Sequence, residues 1–219
     1  DMIPILAEND SVILCEKPAG VLSQPSPTQR ESMLSLLEKQ SRCAVYPIHR
    51  LDREVGGAMV FAKTASSAAV LSAAVQQRTL QKEYLAIVQG RPEEAEGIFK
   101  DLLFKDSARG KTFVVTRMRK GVKEASLSYR LLAEREGRSL VWVRLHTGRT
   151  HQIRVQFSSR GMPLIGDRKY GGLPASGTAL WSFRLSFPGG KGVPPFTVSS
   201  LPSGELWLAF QDVLADLTL

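Results

Sequence analysis

The fold class follows from one stretch, Glu124-Ala-Ser-Leu-Ser-Tyr-Arg-Leu131, in which polar and apolar residues alternate strictly. A period of two is typical of a strand that buries one face and exposes the other. A second apolar run, residues 140–145, follows after the loop-like segment Glu134-Arg-Glu-Gly-Arg138. The pattern therefore predicts two strands joined as an antiparallel hairpin.

Further runs of strand length lie on both sides of this hairpin, whereas helical patterns are few. The predicted strands are residues 11–15, 57–62, 84–88 and 181–187, and the predicted helices are residues 31–40 and 65–77. Strands in series with few helices favour an α+β fold with a large, mostly antiparallel sheet. No linker-like segment interrupts the chain, so residues 1–219 are predicted to form a single domain.

The composition limits the class of protein. Of the 219 residues 43% are hydrophobic, as in a globular protein, and the formal net charge is +8. Cys15 and Cys43 are too few for a disulfide framework and are expected to be reduced thiols. The three histidines lack metal-binding spacing, so no metal is predicted. Because there is no apolar run of about 18 residues and no basic n-region at the start, we expect a soluble, cytoplasmic monomer.

Most of the positive charge lies in residues 105–123. This segment holds seven basic residues and one acidic residue, and so carries six of the eight net charges. Phe113, Val114 and Val115 within it predict a strand. The segment is either a solvated hairpin or a structured arm that binds phosphates, and in the second case its affinity would fall steeply with salt.

Two other clusters concentrate polar groups near predicted strands. The first, His49-Arg-Leu-Asp-Arg-Glu54, precedes Gly56-Gly57 and a buried strand, so Asp52 is expected on a loop that a rigid element holds. The second, Leu145-His-Thr-Gly-Arg-Thr-His-Gln-Ile-Arg154, turns at Gly148 and predicts a helix capped by Thr150. On the residues alone, the first could be a surface loop with an incidental ion pair and the second a solvent-facing turn.

The order of several motifs resembles the RluA-type pseudouridine synthases. The catalytic motif of that family is similar to His49-Arg-Leu-Asp52 followed by Gly57 and Ala62-Lys63. The other matching blocks are Lys17-Pro-Ala-Gly20, Lys82-Glu-Tyr-Leu-Ala-Ile-Val-Gln-Gly90, Thr147-Gly-Arg-Thr-His-Gln-Ile-Arg154, Gly161-Met-Pro-Leu-Ile-Gly-Asp167 and Tyr170-Gly171. Four ordered blocks with sensible spacing are far more specific than one tetrapeptide, and the resemblance spans roughly residues 17–181.

The resemblance implies isomerisation of selected uridines in rRNA or tRNA to pseudouridine, without a cofactor. It assigns Asp52 to the ribose, as nucleophile or as base, and Tyr84 to a contact with the target base. Arg154 would pair with Asp52, and Arg50 would enter the space that the flipped nucleotide leaves. The RNA-binding set is predicted to comprise Arg50, His49, Arg149, His151, Arg117, Arg119 and Lys120.

The same resemblance implies a pseudouridine synthase fold, in which a long bent mixed sheet flanked by helices forms a central active-site cleft. Many members carry an N-terminal S4-type domain, which is not expected here because only sixteen residues precede Lys17. The sequence also departs from the family, because Val55-Gly56 stands where Thr-Ser is usual and two hydroxyls are lost. No obligate protein partner is evident.

Two rival functions agree less well with these residues. A catalytically silent RNA-binding protein on the same scaffold would need no nucleophile, which the joint presence of Asp52, Tyr84 and Arg154 argues against. A glycosidase would require two facing carboxylates. Only Asp52 stands out in this sequence, and Glu54 is a loop neighbour with no evident role.

Overall fold

The structure is a computed structural model that describes residues 2–217. Within them lie eleven strands and four α-helices. The strands are β1 (Ile5–Glu8), β2 (Val12–Lys17), β3 (Tyr46–Pro47), β4 (Gly56–Ala62), β5 (Gln81–Gln89), β6 (Glu96–Asp106), β7 (Lys111–Val115), β8 (Val122–Arg135), β9 (Arg138–Leu145), β10 (Leu180–Phe187) and β11 (Phe196–Ser199). The helices are α1 (Met33–Ser41), α2 (Ala65–Gln76), α3 (Gln152–Ser158) and α4 (Gln211–Ala215), and two 3-10 helices span Arg168–Tyr170 and Glu205–Phe210.

Packing divides the described chain into two compact units. The first comprises residues 2–82 and 181–202, and the second comprises residues 83–180 and 203–217. Each unit is built on its own set of neighbouring strands. The expectation that residues 1–219 form a single domain stays a prediction.

The first unit is a sheet with the strand order β1-β2-β4-β10, to which β3 adds beside β4 and β11 beside β10. The pairing of β2 with β4 is antiparallel and places Lys17 opposite Gly57, whereas β10 runs parallel to β4. Every residue of β4 is buried. An apolar cluster that includes Val60 and Leu71 packs this sheet against α2, so β4 forms the rigid centre of the unit.

The two longer helices begin where their sequences supply capping boxes. Ser32 caps α1 and Thr64 caps α2, each accepting the N–H of the serine three residues later, whose hydroxyl in turn accepts the cap's own N–H. These reciprocal bonds satisfy N–H groups that a helix start leaves unpaired. Both helices were predicted from the sequence, and both are confirmed to within a few residues.

The second unit has the strand order β5-β9-β8-β6-β7. The predicted hairpin is confirmed as β8 and β9, which pair up to Arg135 opposite Arg138. Between them Glu136 and Gly137 adopt φ values of 53° and 73°. Two consecutive left-handed residues form the two-residue turn whose twist matches that of the flanking strands.

The α+β prediction is confirmed, with strands far outnumbering helices and with antiparallel pairing broken by the parallel pair β4–β10. The predicted cap of α3 is wrong by one residue. His151 is the N-cap, in a left-handed conformation and without a side-chain cap bond. In the part of the chain that the structure describes, no helix has the length and apolarity needed to cross a bilayer.

Candidate active site

Asp52 lies in a tight turn of the first unit, directly before β4. The N–H of Val55 donates to the carbonyl of Asp52 at 3.0 Å and closes the turn. The residue before it, Leu51, is bonded on both sides to the buried hydroxyl of Ser23, which accepts its N–H at 3.0 Å and donates to its carbonyl at 2.8 Å. The backbone that presents the half-buried Asp52 is therefore fixed as it enters the turn.

Lys17, the last residue of β2, fixes the same turn from its other side. Its side chain is fully buried, and Nζ donates to the carbonyl of Arg53 at 3.0 Å. The N–H of Gly20 donates to that carbonyl as well, at 2.7 Å. Burial lowers the pKa of Lys17 to about 8, an effect that the negative charges of Glu54 and Asp52 oppose.

His49, predicted to contact RNA, is buried beside the central strand, and its contact with RNA stays a prediction. Its ring is only 8% exposed, and Nε2 accepts the N–H of Val60 in β4 at 3.1 Å. Burial, and to a smaller degree the charge of Lys82, lowers the pKa of His49 to about 3, so the ring is neutral near pH 7. A buried, neutral ring that is hydrogen-bonded to the central strand holds its own segment in place.

We expect His49 to make folding stability depend on pH. Its pKa of about 3 in the folded state lies below the ordinary value of 6.5, so the unfolded chain takes up a proton first as pH falls. The stability is full above pH 6.5 and is lost on acidification toward pH 3. Between pH 6.5 and pH 5 the His49→Gln variant should lose about 1.6 kcal/mol less than the wild type, because His49 of the unfolded chain is already half protonated at pH 6.5 and the full linkage of about 1.36 kcal/mol per pH unit applies only below it. Urea unfolding at both pH values measures this, and parallel declines would contradict it.

Arg50 and Tyr84, predicted to contact the flipped nucleotide and its base, differ in exposure. The side chain of Arg50 is exposed, as a group that enters RNA would be. Tyr84 lies in β5 within the second unit and is 6% exposed. Burial of this degree fits a core tyrosine as well as a site residue, so the role of Tyr84 against the base stays a prediction.

Arg154 projects from α3 and is held by a buried ion pair. Its Nε and Nη2 donate to the two carboxylate oxygens of Asp167 at 2.8 and 2.9 Å. The side chains are only 8% and 0% exposed. The guanidinium carbon also lies 5.2 Å from the ring centroid of Tyr170. Two parallel hydrogen bonds and an aromatic face fix the plane of the guanidinium, while the predicted pairing of Arg154 with Asp52 stays a prediction.

Tyr170 joins this arginine to two other predicted features. Its hydroxyl accepts the N–H of Thr112 in β7 at 2.9 Å and lies 2.7 Å from Nδ1 of His151. Burial raises the pKa of Tyr170, so the phenol keeps its proton near pH 7. His151, predicted to bind RNA, is thus half-buried and held at the start of α3 by Tyr170.

The turn before α3 is tied together by one amide side chain. Oε1 of Gln152 accepts the N–H of Arg149 at 3.0 Å and the hydroxyl of Thr147 at 2.7 Å. Nε of Arg149 donates to the carbonyl of Glu124 at 2.9 Å. Arg149 is therefore anchored to the start of β8, which limits how far its guanidinium can move.

Residues 105–123, the basic hairpin, form the structured arm that the sequence allowed. They include the end of β6, all of β7 and the start of β8, with β7 antiparallel to β6. Arg117, Arg119 and Lys120 are exposed together in the loop between β7 and β8. The guanidinium carbon of Arg119 lies 4.3 Å from the ring centroid of Phe104. The hairpin thus presents cations on a fixed frame, with Arg119 stacked on an aromatic ring.

The sequence did not single out Ser23, Asp167 or Tyr170 for the parts they play. Asp167 and Tyr170 lie inside blocks that carried the family resemblance, so their place in those motifs was the available signal. Ser23 bonds the backbone of Leu51, and no residue pattern encodes a backbone partner 28 positions away. Within residues 2–217, no three His, Cys, Asp or Glu side chains are grouped so that they could hold a metal ion.

Comparison with known proteins adds a family match. The family model described as RNA pseudouridylate synthase matches residues 11–159, more than half of the chain. An uncharacterized RNA pseudouridine synthase of Bacillus subtilis is 33% identical over 178 residues, which cover 78% of this chain. Ribosomal large subunit pseudouridine synthase D of Nitrosomonas europaea is 33% identical over 209 residues, covering 85% of this chain. The chain spans 58% of the length of each of these two relatives.

Solved structures agree on the fold. The structure of human RNA pseudouridylate synthase domain containing 4 is similar with a TM-score of 0.78, covering 97% of this chain and 93% of that one. Its sequence identity is 20%. At that identity the similarity supports a shared fold.

Proposed function

Because this chain belongs to the RluA-type RNA pseudouridylate synthase family, we propose that it isomerises selected uridines in RNA to pseudouridine. The reaction breaks the bond between N1 and C1′, turns the base while it stays bound, and joins C5 to C1′; the C5 proton leaves to solvent and N1 takes up a proton. The observation that carries the proposal is the Asp52 turn. It lies within the matched residues, and side chains from outside the turn fix the backbone on both sides of it.

Asp52 is proposed to act on the ribose, either as a nucleophile at C1′ or as a base. Both roles need an ionised carboxylate that is held still relative to the sugar. Ser23 and Lys17 supply the second condition, because they bond the backbone of Leu51 and of Arg53 on either side of Asp52. The low conformational freedom of the turn reduces the entropy lost on reaching the reactive geometry.

The remaining site residues are proposed to handle the base and the charge. Extruding a stacked uridine costs a few kcal/mol, which contacts to the vacated space and to the flipped base offset. Arg50, an exposed planar cation, suits the vacated space, and the ring of Tyr84 suits the base. Arg154, whose plane Asp167 fixes, serves as the cation that favours an ionised catalytic aspartate.

RNA binding is proposed to involve the basic hairpin, together with Arg149 and His151 near the start of α3. Replacing Arg117, Arg119 and Lys120 together with serine should weaken RNA binding. If each contacts a phosphate, the slope of log K against log salt should become shallower by about 2–3, since each contact contributes about 0.7–0.9. Filter binding over a range of KCl concentrations measures the slope.

A matched variant separates this site from the effect of total charge. Arg30, Lys39 and Arg42 are exposed cations in or beside α1, and their joint replacement with serine removes the same charge. We expect this control variant to keep a salt slope close to that of the wild type. An equal change of slope in both triple variants would remove the basic hairpin from its proposed role.

The experiment that tests the proposed function measures hydrogen release from C5. The protein is incubated with tRNA and large-subunit rRNA transcripts that carry tritium at C5 of uridine, and tritium released to water is counted. Release with a pseudouridine mapped at a defined position is the expected result. RNA binding without any release, on these and on total cellular RNA, would favour the catalytically silent RNA-binding protein instead.

The proposal extends to the substrate and the cellular setting. The names of relatives such as ribosomal large subunit pseudouridine synthase D favour rRNA as the first substrate to test, with tRNA as the second. We place the protein in the cytoplasm, acting as a monomer without an obligate protein partner. Sedimentation of the full chain with and without RNA measures its oligomeric state.

A further inference from the structure

Gly56, the first residue of β4, has no room for a side chain. A Cβ added there would overlap Cζ3 of Trp181 and would lie 2.8 Å from the carbonyl oxygen of Lys17. Gly56 follows Val55 directly, and Val55 closes the turn that presents Asp52. The indole of Trp181 therefore occupies the space beside the backbone at the exit of the Asp52 turn.

Two independent features place the indole there. Trp181 pairs with Gly56 in the parallel register of β10 and β4, which brings the two residues side by side. The ring Nε1–H donates to the carbonyl of Ser200 at 2.9 Å. Ser200 is buried, and its hydroxyl donates to Glu16 in β2. Trp181 is thus fixed at its backbone by the strand pairing and at its indole nitrogen by the hydrogen bond to Ser200. Its contact with Gly56 is therefore a fixed feature of the first unit.

This arrangement gives a physical reason for the glycine in Val55-Gly56. A serine at position 56 would collide with the indole and with the carbonyl of Lys17, so this structure cannot accommodate the hydroxyl that is usual in the family. A large ring packs against the backbone at this end of the turn. Lys17 contacts the Asp52 turn in two places: its carbonyl lies against Gly56, and its Nζ donates to the carbonyl of Arg53.

We propose that Trp181 is a positioning residue for Asp52, whose indole wedges against Gly56 and holds the exit of the Asp52 turn. As a statement about catalysis this rests on the proposed function; as a statement about the turn it stands alone. A carboxylate displaced by about 1 Å can lose about 100-fold in rate, so a small relaxation at Gly56 would be felt at Asp52.

The test compares the wild type with Trp181→Ala at a temperature where both stay folded. The single-turnover rate of pseudouridine formation should fall at least about tenfold, while the KM for RNA stays within about threefold. Hydrogen exchange at the Val55 amide should rise at least about tenfold, because its bond to Asp52 opens more often. Exchange at Ala68 in α2, whose N–H donates to the carbonyl of the cap residue Thr64, is the internal control and should not change.

A second variant tests the wedge by its geometry. Gly56→Ser should lower the rate strongly in the wild-type background, because the new side chain meets the indole. In the Trp181→Ala background the same change should cost at least about tenfold less, although the Lys17 carbonyl still crowds it. Equal costs in both backgrounds would show that Trp181 does not exclude a side chain at Gly56 and would overturn the proposal.

The outcomes also separate this proposal from the proposed function. If the wild type forms no pseudouridine, the proposed function fails, yet exchange at Val55 still reports whether Trp181 holds the turn. If hydrogen exchange at the Val55 amide is unchanged in Trp181→Ala, Trp181 does not hold the turn and the proposal is overturned, whatever the activity. A uniform rise at Val55 and Ala68 would assign Trp181 to general stability and would overturn it too.

Discussion

Replacing Asp52 with asparagine is expected to lower the rate of pseudouridine formation by at least about 10³-fold, because an amide is neither a nucleophile nor a base. The change keeps the size of the side chain and leaves the backbone bonds of the turn to Ser23 and Lys17 in place. We therefore expect wild-type folding and RNA affinity within about threefold of the wild type. Tritium release from C5-labelled RNA measures the rate.

The matched control for this variant is Glu54→Gln. Glu54 is an exposed carboxylate in the same turn, two residues away, so its replacement removes the same charge and adds the same kind of amide. Its rate should stay within about threefold of the wild type. Activity retained in Asp52→Asn, or lost equally in both variants, would show that Asp52 does not carry the chemistry.

The Arg154–Asp167 pair is expected to show the second large effect, on both stability and rate. Asp167→Leu alone leaves the buried guanidinium without its carboxylate, which should cost about 3–5 kcal/mol of unfolding free energy. Arg154→Met alone strands the fully buried carboxylate of Asp167 at a similar cost. Each single variant should also be nearly inactive, and chemical denaturation and tritium release measure the two losses.

The double variant Arg154→Met/Asp167→Leu separates the two effects. Two apolar side chains leave no charge stranded within the pair, so much of the stability lost in each single variant should return, less the cost of fitting the larger leucine into a fully buried position. Activity should not return, because the oriented guanidinium is gone. A stable double variant that regains activity would show that Arg154 has a structural role alone.

The sequence predicts β2, β4, β5, β7, β8, β9 and β10, because their apolar runs or alternation repeat at short range, whereas β1, β3, β6 and β11 were not predicted. The alternation through Ala125, Leu127 and Tyr129 predicts β8, and Gly137 adopts the left-handed conformation of the hairpin turn without strain, whereas nothing in the sequence indicates that Glu136 adopts it too. The capping serines and threonines of α1 and α2 are equally local signals. Such local patterns can be recognised without knowing how the rest of the chain folds.

What the sequence could not predict depends on partners that lie far apart along the chain. Nothing near His49 in the sequence shows that its ring accepts a hydrogen bond from the N–H of Val60 inside β4. Thr150 is a good cap residue, but the left-handed His151, bonded to Tyr170, sets the start of α3. The partner of Gly56 is Trp181, brought near by a parallel register that no local pattern announces.

The contacts of Tyr170 also limit which sequence changes the basic hairpin can take without disturbing Arg154. The ring of Tyr170 packs against Arg154, and its hydroxyl accepts the backbone N–H of Thr112. The buried arginine and the basic hairpin therefore both contact the same side chain. Exposed residues of the hairpin, such as Val114 and Arg117, can be replaced without changing the contacts of Tyr170. Insertions or deletions that shift β7 at Thr112 would disturb Arg154. We therefore expect changes on this side of the second unit to replace exposed side chains while the backbone length of β7 stays constant.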